Sequence, residues 1–367
     1  MSLSLRNICR ILFLMVFFSI SSSLCYAQHC RITVGAERTE EYLPLLRHKK
    51  VAVVANQTSL IGHRHLVDSL LSRGVDVRKV FCPEHGFRGK AEAGALVNDS
   101  LDQQTGLPLI SLYGKNKKPS QSQLADIDVV VFDLQDVGCR FYTYLSTLHY
   151  VMEACAQYGN IPVVLLDRPN PNAHYVDGPV LEPRYKSFVG MHPGVPVVYG
   201  MTIGEYAMMV NGEHWLEDGV CCALTVIQLL NYAHDSTYHL PVAPSPNLRT
   251  PQAIALYPSL CLFEGTSVSV GRGTPYPFEV IGNRQEMDLR NVQVSPQFDL
   301  RYLLAMYGQC QDKSRFFLKS NFFEKLAGNG LLRQQIISGI DESSIRASWK
   351  EGIDRFLSIR LKYLLYP

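Results

Sequence analysis

Five short apolar runs recur along the first half of the chain, each followed by polar residues. They are Val51 to Ala55 (VAVVA), Val75 to Phe81, Leu109 to Leu112, Ile127 to Phe132 (IDVVVF) and Ile161 to Leu166 (IPVVLL). Short runs that stay apolar at successive positions fit strands buried on both faces of a parallel sheet. The second run is the least regular, because Asp76, Arg78 and Lys79 interrupt it. Leu66 to Leu71 fits one face of a helix closed by Gly74, and Tyr142 to Tyr158 carries the helical period. Strand-like runs separated by helix-length stretches predict an α/β fold with a doubly wound, mostly parallel sheet.

The polar residues fall at a telling place. Asn56, Glu84, His85, Tyr113, Asp133, Gln135, Asp136, Asp167 and Arg168 all follow the end of a predicted strand. The carboxyl ends of a parallel sheet share one edge, where such folds bind ligands, so these groups are expected to converge. The densest stretch is Phe81-Cys82-Pro83-Glu84-His85-Gly86-Phe87-Arg88-Gly89. It offers a carboxylate, an imidazole and a guanidinium between glycines that allow close backbone approach.

From about Asn172 the pattern changes, and prolines and glycines are dense through Gly200. We therefore read residues 28–175 as one domain and 176–367 as a second, smaller α+β domain with a helical tail. Thr202 and Glu205 have the spacing of a helix capping box, which explains Glu205 structurally. Ala223 to Leu230 is strand-like. Ala243 to Leu248 is a rigid polar loop containing Asn247. Glu264-Gly265-Thr266 and Gly271-Arg272-Gly273 follow a short apolar run and suit a second wall for a site. Asp341 is placed to open a tail helix, and Trp349, Ile353 and Phe356 share one helical face.

Composition narrows the function. A net charge of +2 without a long basic cluster gives no case for nucleic acid. Residues 1–27 read as a secretory signal: Arg6 and Arg10, then Ile11 to Ile20, then Cys25-Tyr26-Ala27 before Gln28. The apolar run is too short for a stable membrane span. Leu24 is a poor residue ahead of a lipidated Cys25, so a secreted, periplasmic protein is expected rather than a lipoprotein. The eight cysteines after residue 27 are scattered, unlike a disulfide framework or a zinc motif, and most read as small buried apolar residues.

Gly-x-Ser-x-Gly and Walker A motifs are absent, and Gly271-Arg272-Gly273 is too short for a dinucleotide fingerprint. An esterase would need a nucleophile that the sequence does not offer, and a nicotinamide enzyme would need that fingerprint. Glu84, His85, Asp133 and Asp136 are conceivable oxygen-rich metal ligands, but nothing in their spacing supports one, and neither metal nor cofactor is expected. Carboxylates among Asn, Gln, Arg and Tyr suit glycoside hydrolysis, in which an acid protonates the leaving oxygen and a second group acts as nucleophile or base. Glu84 is the candidate acid, its pKa raised by partial burial near Phe87. Asp133 and Asp136 are candidates for stabilising positive charge. Arg140, Arg168 and Arg272 are candidates for a substrate carboxylate.

At these residues the chain resembles the exo-β-N-acetylmuramidases of the NamZ type. The matching stretches are PEHGFRG (Pro83 to Gly89), TGLPLISLYG (Thr105 to Gly114), VFDLQDVGCRFYTYLST (Val131 to Thr147), LLDRPNP (Leu165 to Pro171), YGMTIGEYA (Tyr199 to Ala207), PSPNL (Pro244 to Leu248) and LFEGTSVSVGRGTPYPFE (Leu262 to Glu279). They run in family order over most of Val51 to Gly282, and Arg360 to Tyr366 matches too. The resemblance implies a Rossmann-like domain, a second domain and an active site in the cleft between them. It implies removal of N-acetylmuramic acid from the non-reducing end of peptidoglycan fragments such as MurNAc–GlcNAc. It further implies a substrate-assisted mechanism with Glu84 as acid/base, in which we expect Asp133 or Asp136 to orient the acetamide. Asn56, His85, Arg88, Tyr113, Gln135, Arg140, Tyr142, Arg168, Asn170, Asn247, Glu264 and Arg272 are the candidate substrate contacts. Relative to the family pattern, the segment after Gly282 is shortened. The alternative expectation is therefore a catalytically impaired sugar-binding protein.

Overall fold

The computed structural model describes residues 31–87 and 100–367. The expected signal segment and Arg88 lie outside the described residues. Seven strands form the main sheet: β1 (Lys50–Ala55), β2 (Asp76–Cys82), β3 (Ser100–Leu101), β4 (Pro108–Ser111), β5 (Val129–Asp133), β6 (Val163–Leu166) and β7 (Leu224–Ile227). Their order is β3-β4-β2-β1-β5-β6-β7, parallel throughout except for β3 against β4. The chain starts at the centre, winds outward through β2 and β4, then returns beside β1 and winds the other way. This is the doubly wound Rossmann-like order, with its switch point between β1 and β5.

The apolar runs explain why the sheet is buried on both faces. Side chains alternate along a strand. Ala52, Val54, Val130 and Phe132 enter one core, while Val51, Val53, Val129 and Val131 enter the other. Helices α1 (Thr39–Leu46) and α2 (Leu66–Ser72) cover the second core through Tyr42, Leu46, Leu66 and Leu70. Helix α3 (Tyr144–Gln157) covers the first through Leu145, Leu148 and Met152. That same core continues without a break into the C-terminal helices, through Leu256, Phe263, Phe323 and Phe356. The second region is therefore a smaller lobe fused to the sheet domain rather than a body with a separate core.

One boundary moves. Strand β7 lies beyond residue 175 and pairs with β6 from Val163↔Leu224 to Leu166↔Ile227. The domain boundary expected at 175 falls inside the sheet domain. The last residues also return to it: Tyr366 Oη donates to Asp167 Oδ2 at 2.7 Å, and the Leu365 amide donates to Glu205 Oε1 at 2.7 Å. Helix α4 (Ile203–Gly212) opens with the capping box of Thr202 and Glu205, and Asp341 caps the helix Glu342–Ala347. Cys82, Cys139, Cys155, Cys222 and Cys261 are buried, as small core residues; Cys221 is exposed. Among the described residues no helix is long and apolar enough to cross a membrane.

Candidate active site

The loop after β2 sets the central carboxylate. Gly86 N donates to Pro83 O at 3.0 Å, closing a tight turn with Glu84 and His85 at its corners. His85 has φ 72°, the positive value that the third position of a type II turn requires. Glu84 Oε2 accepts a 2.8 Å hydrogen bond from Thr143 Oγ1. The Tyr113 phenol stands beside Glu84 on the same wall. Burial first, then that neighbouring carboxylate, pushes the Tyr113 phenol up to about 12, so it stays a neutral donor.

These groups line a cavity of about 660 Å³ between the sheet edge and the second lobe. That volume suits a ligand of one or two sugar rings. Of the expected contacts, Glu84, His85, Tyr113, Tyr142, Asn247, Glu264 and Arg272 reach its wall. Glu264 Oε1 takes two bonds from Arg272, at 3.1 Å from Nε and 2.5 Å from Nη2. The Arg272 guanidinium also lies 5.2 Å from the centre of the Phe278 ring.

The remaining expected contacts are committed elsewhere. Asp133 is fully buried and closed by Arg168, whose Nε and Nη2 donate to its two oxygens at 2.5 and 2.8 Å. Burial works against that guanidinium, but Asp133 outweighs it and raises its pKa. Neither lines the Glu84 cavity, so neither contacts a ligand there. Arg140 is buried and spends both terminal nitrogens on four backbone carbonyls, those of Pro179, Val195, Leu326 and Ala327. It pins the sheet domain to the second lobe rather than binding an anion. Asn170 Nδ2 donates to Met201 O, and Gln135 Nε2 donates to Asp136 O and Pro169 O.

Asp136 also lies behind the wall. It accepts from Tyr199 Oη and Gly138 N, while its Oδ1 is buried without a hydrogen-bond partner. Burial, only partly offset by those bonds, pushes it up to about 7. Gly138, at φ 78°, is obligatory here, because a Cβ would sit inside the Asn170 side chain. Glycine lets the chain turn so that Phe141 to Tyr144 reach the cavity. Asn56 acts at one remove: its Nδ2 donates to Tyr144 Oη at 2.7 Å, and Tyr144 Oη donates to Pro244 O at 3.3 Å. Phe87, expected beside Glu84, packs edge-on against His65 at 4.7 Å in the opposite core.

Sequence reasoning missed Thr143, Lys117 and Phe188, all on the cavity wall. Thr143 and Tyr144 sit in a polar-aromatic run whose role was legible in principle; Lys117 and Phe188 occupy irregular loops with no periodic signal. Among the described residues no three His, Cys, Asp or Glu gather at metal-holding distance. At the switch point, where this sheet order elsewhere takes a dinucleotide, the Asn56 loop folds on itself. Asn56 Oδ1 accepts from Thr58 N and Oγ1, and Gln57 donates to Ala243 O and Pro244 O.

Comparison with known proteins agrees with this arrangement. The family model "Exo-beta-N-acetylmuramidase NamZ, N-terminal" matches residues 51–252, and its C-terminal counterpart matches 255–295 and 287–366. The peptidoglycan beta-N-acetylmuramidase NamZ of Bacillus subtilis (strain 168) is 35% identical over 374 residues, covering 89% of each chain. Two DUF1343 family crystal structures from Bacteroides fragilis superpose closely. One has a TM-score of 0.83 at 41% identity and the other 0.78 at 29%; each match covers 92% of this chain and 99% of that one. By these matches the chain belongs to the exo-β-N-acetylmuramidase NamZ family.

Proposed function

We propose that this protein is an exo-acting β-N-acetylmuramidase that releases terminal N-acetylmuramic acid from peptidoglycan fragments, with Glu84 as acid and base. The observation that carries this reading is the setting of Glu84 on the cavity wall, held by the Thr143 hydroxyl with the Tyr113 phenol beside it. The activity of the Bacillus subtilis relative, a peptidoglycan beta-N-acetylmuramidase, supports it.

In the first step Glu84 protonates the glycosidic oxygen as the bond to the anomeric carbon breaks. The carbonyl oxygen of the substrate's 2-acetamido group attacks that carbon and closes an oxazolinium ring. Glu84 then takes a proton from water, which opens the ring and yields the free sugar. Substrate assistance is favoured because ordinary glycosidases need a second available carboxylate. The other carboxylate among the described residues of the wall, Glu264, is held by Arg272. Asp133 and Asp136 lie behind the wall, so the direct acetamide contact expected of them falls to other cavity groups. We further propose that the protein is exported by the segment 1–27 and works in the periplasm, which N-terminal sequencing of the periplasmic form would check by reading Gln28 first.

The test is incubation of the mature protein with MurNAc–GlcNAc. Release of N-acetylmuramic acid supports the proposal. Binding without release would favour the impaired sugar-binding alternative, and neither binding nor release would sink both.

A further inference from the structure

Two adjacent lysines follow Tyr113 and Gly114 with opposite fates. Lys118 is consumed by structure: its Nζ donates to Glu153 Oε1 at 2.6 Å and Gln157 Oε1 at 2.7 Å, with Glu217 at 3.6 Å. Lys117 instead lines the cavity, partly buried, with its Nζ 4.9 Å from the centre of the Phe188 ring. No carboxylate pairs with it among the described residues. The other cation among the described residues of the wall, Arg272, is already paired with Glu264. Among the described residues, Lys117 is therefore the cavity cation whose charge remains available to a ligand.

Its platform is built rather than incidental. Ser187 and Gly190 exchange backbone hydrogen bonds of 2.8 and 3.0 Å, forming a tight turn that presents Phe188. Ser146 Oγ donates to Phe188 O at 2.8 Å. The Tyr150 ring stacks on Phe188 at 6.3 Å and 17°. A phenyl face attracts the ammonium through its quadrupole but carries no net charge to neutralise it. The Tyr113 ring lies 6.0 Å from Phe188, and Tyr113 shares the cavity wall with Glu84. The ammonium and the acid/base thus lie along one wall, with Phe188 and Tyr113 between them.

We propose that Lys117 is a specificity-determining residue that holds the carboxylate of the lactyl ether on the muramyl ring. It selects this acidic sugar over the neutral N-acetylglucosamine, which lacks the ether but is otherwise alike. The inference rests on the muramidase reading above. A charge-assisted hydrogen bond of this kind separates the two sugars by about 10–100-fold.

The experiment compares wild type, Lys117→Met and Lys117→Arg on the p-nitrophenyl β-glycosides of N-acetylmuramic acid and N-acetylglucosamine. The expected result is a 10–100-fold fall in the ratio of the two kcat/KM values for Lys117→Met, carried mainly by KM for the muramide. Lys117→Arg should keep most of the ratio. Calorimetric binding of the two free sugars reads the same preference without turnover. An unchanged ratio in Lys117→Met, or a wild type that binds both sugars equally, overturns the assignment. A wild type that binds the acidic sugar preferentially yet releases no p-nitrophenol would support the assignment and contradict the hydrolase reading.

Discussion

Glu84 and Asp133 both follow strands of the same sheet, on the same edge, and the sequence presents them alike. Their surroundings are opposite. Glu84 lies on the wall of an open cavity and is held by the Thr143 hydroxyl, which leaves it accessible to a ligand. Asp133 is fully buried under a bidentate Arg168, 35 residues further along the chain. The same division runs along the whole edge. The ends of β2 and β4 open onto the cavity, while those of β1, β5 and β6 are closed by internal bonds. The closed half is not idle, because through Asn56 it fixes Tyr144, and through Gly138 it turns the chain toward Thr143. The lesson is that position after a strand identifies a polar group as a candidate, but only its partners decide whether it can serve a ligand.

The contrast breaks first on stability. Asp133→Asn leaves the Arg168 charge buried without its counter-ion, and about 3–5 kcal/mol of folding stability should be lost. Urea unfolding measures it, and a loss below about 1 kcal/mol would be at odds with a closed, structural pair.

Asp136 sharpens the comparison through pH. Its ordinary value is near 3.8, and burial raises it to about 7 in the fold. Below pH 3.8 the group is protonated folded and unfolded, and its contribution is fully present. As pH rises through about 7 that contribution is lost, on the order of 4 kcal/mol in total. Asp136→Asn removes this slope. The stability of the wild type relative to the variant should therefore decline from pH 4 to pH 8, and parallel curves would contradict the assignment.

The smallest expected effect is at Thr143. Thr143→Val keeps the shape and removes one hydrogen bond to Glu84. We expect about a tenfold fall in kcat, with the thermal midpoint nearly unmoved. A pH–rate profile separates this from a packing defect, because loss of a donor to the carboxylate should move the limb governed by Glu84.

Much of the fold was legible because buried parallel strands are continuously apolar, and Val51 to Ala55 and Ile161 to Leu166 could be little else. Strand β7 was legible as a strand but not as part of this sheet. It is a half-exposed edge, separated from β6 by a long proline- and glycine-rich stretch. In the site, Glu84, Tyr113 and Arg272 stood out as polar groups in loops. Arg140 and Arg168 stood out equally, because a sequence does not display the carbonyls or the carboxylate that consume them. Phe87 was misplaced for a related reason: adjacency in the chain did not reveal that it packs into the opposite core against His65. Lys117 and Lys118 make the same point within one dipeptide.

The most direct test sets Glu84→Gln beside Asp133→Asn, measuring for each the release of N-acetylmuramic acid from MurNAc–GlcNAc per folded molecule together with the thermal midpoint. The account predicts a crossed pattern. Glu84→Gln should lose about 10²–10⁴-fold in turnover at an unchanged midpoint, the loss expected on removing an acid/base. Asp133→Asn should lose stability while the molecules that remain folded keep turning over. Wild-type turnover in Glu84→Gln, or an equal loss of turnover in a fully folded Asp133→Asn, would contradict the division between an open, chemical half of the edge and a closed, structural one.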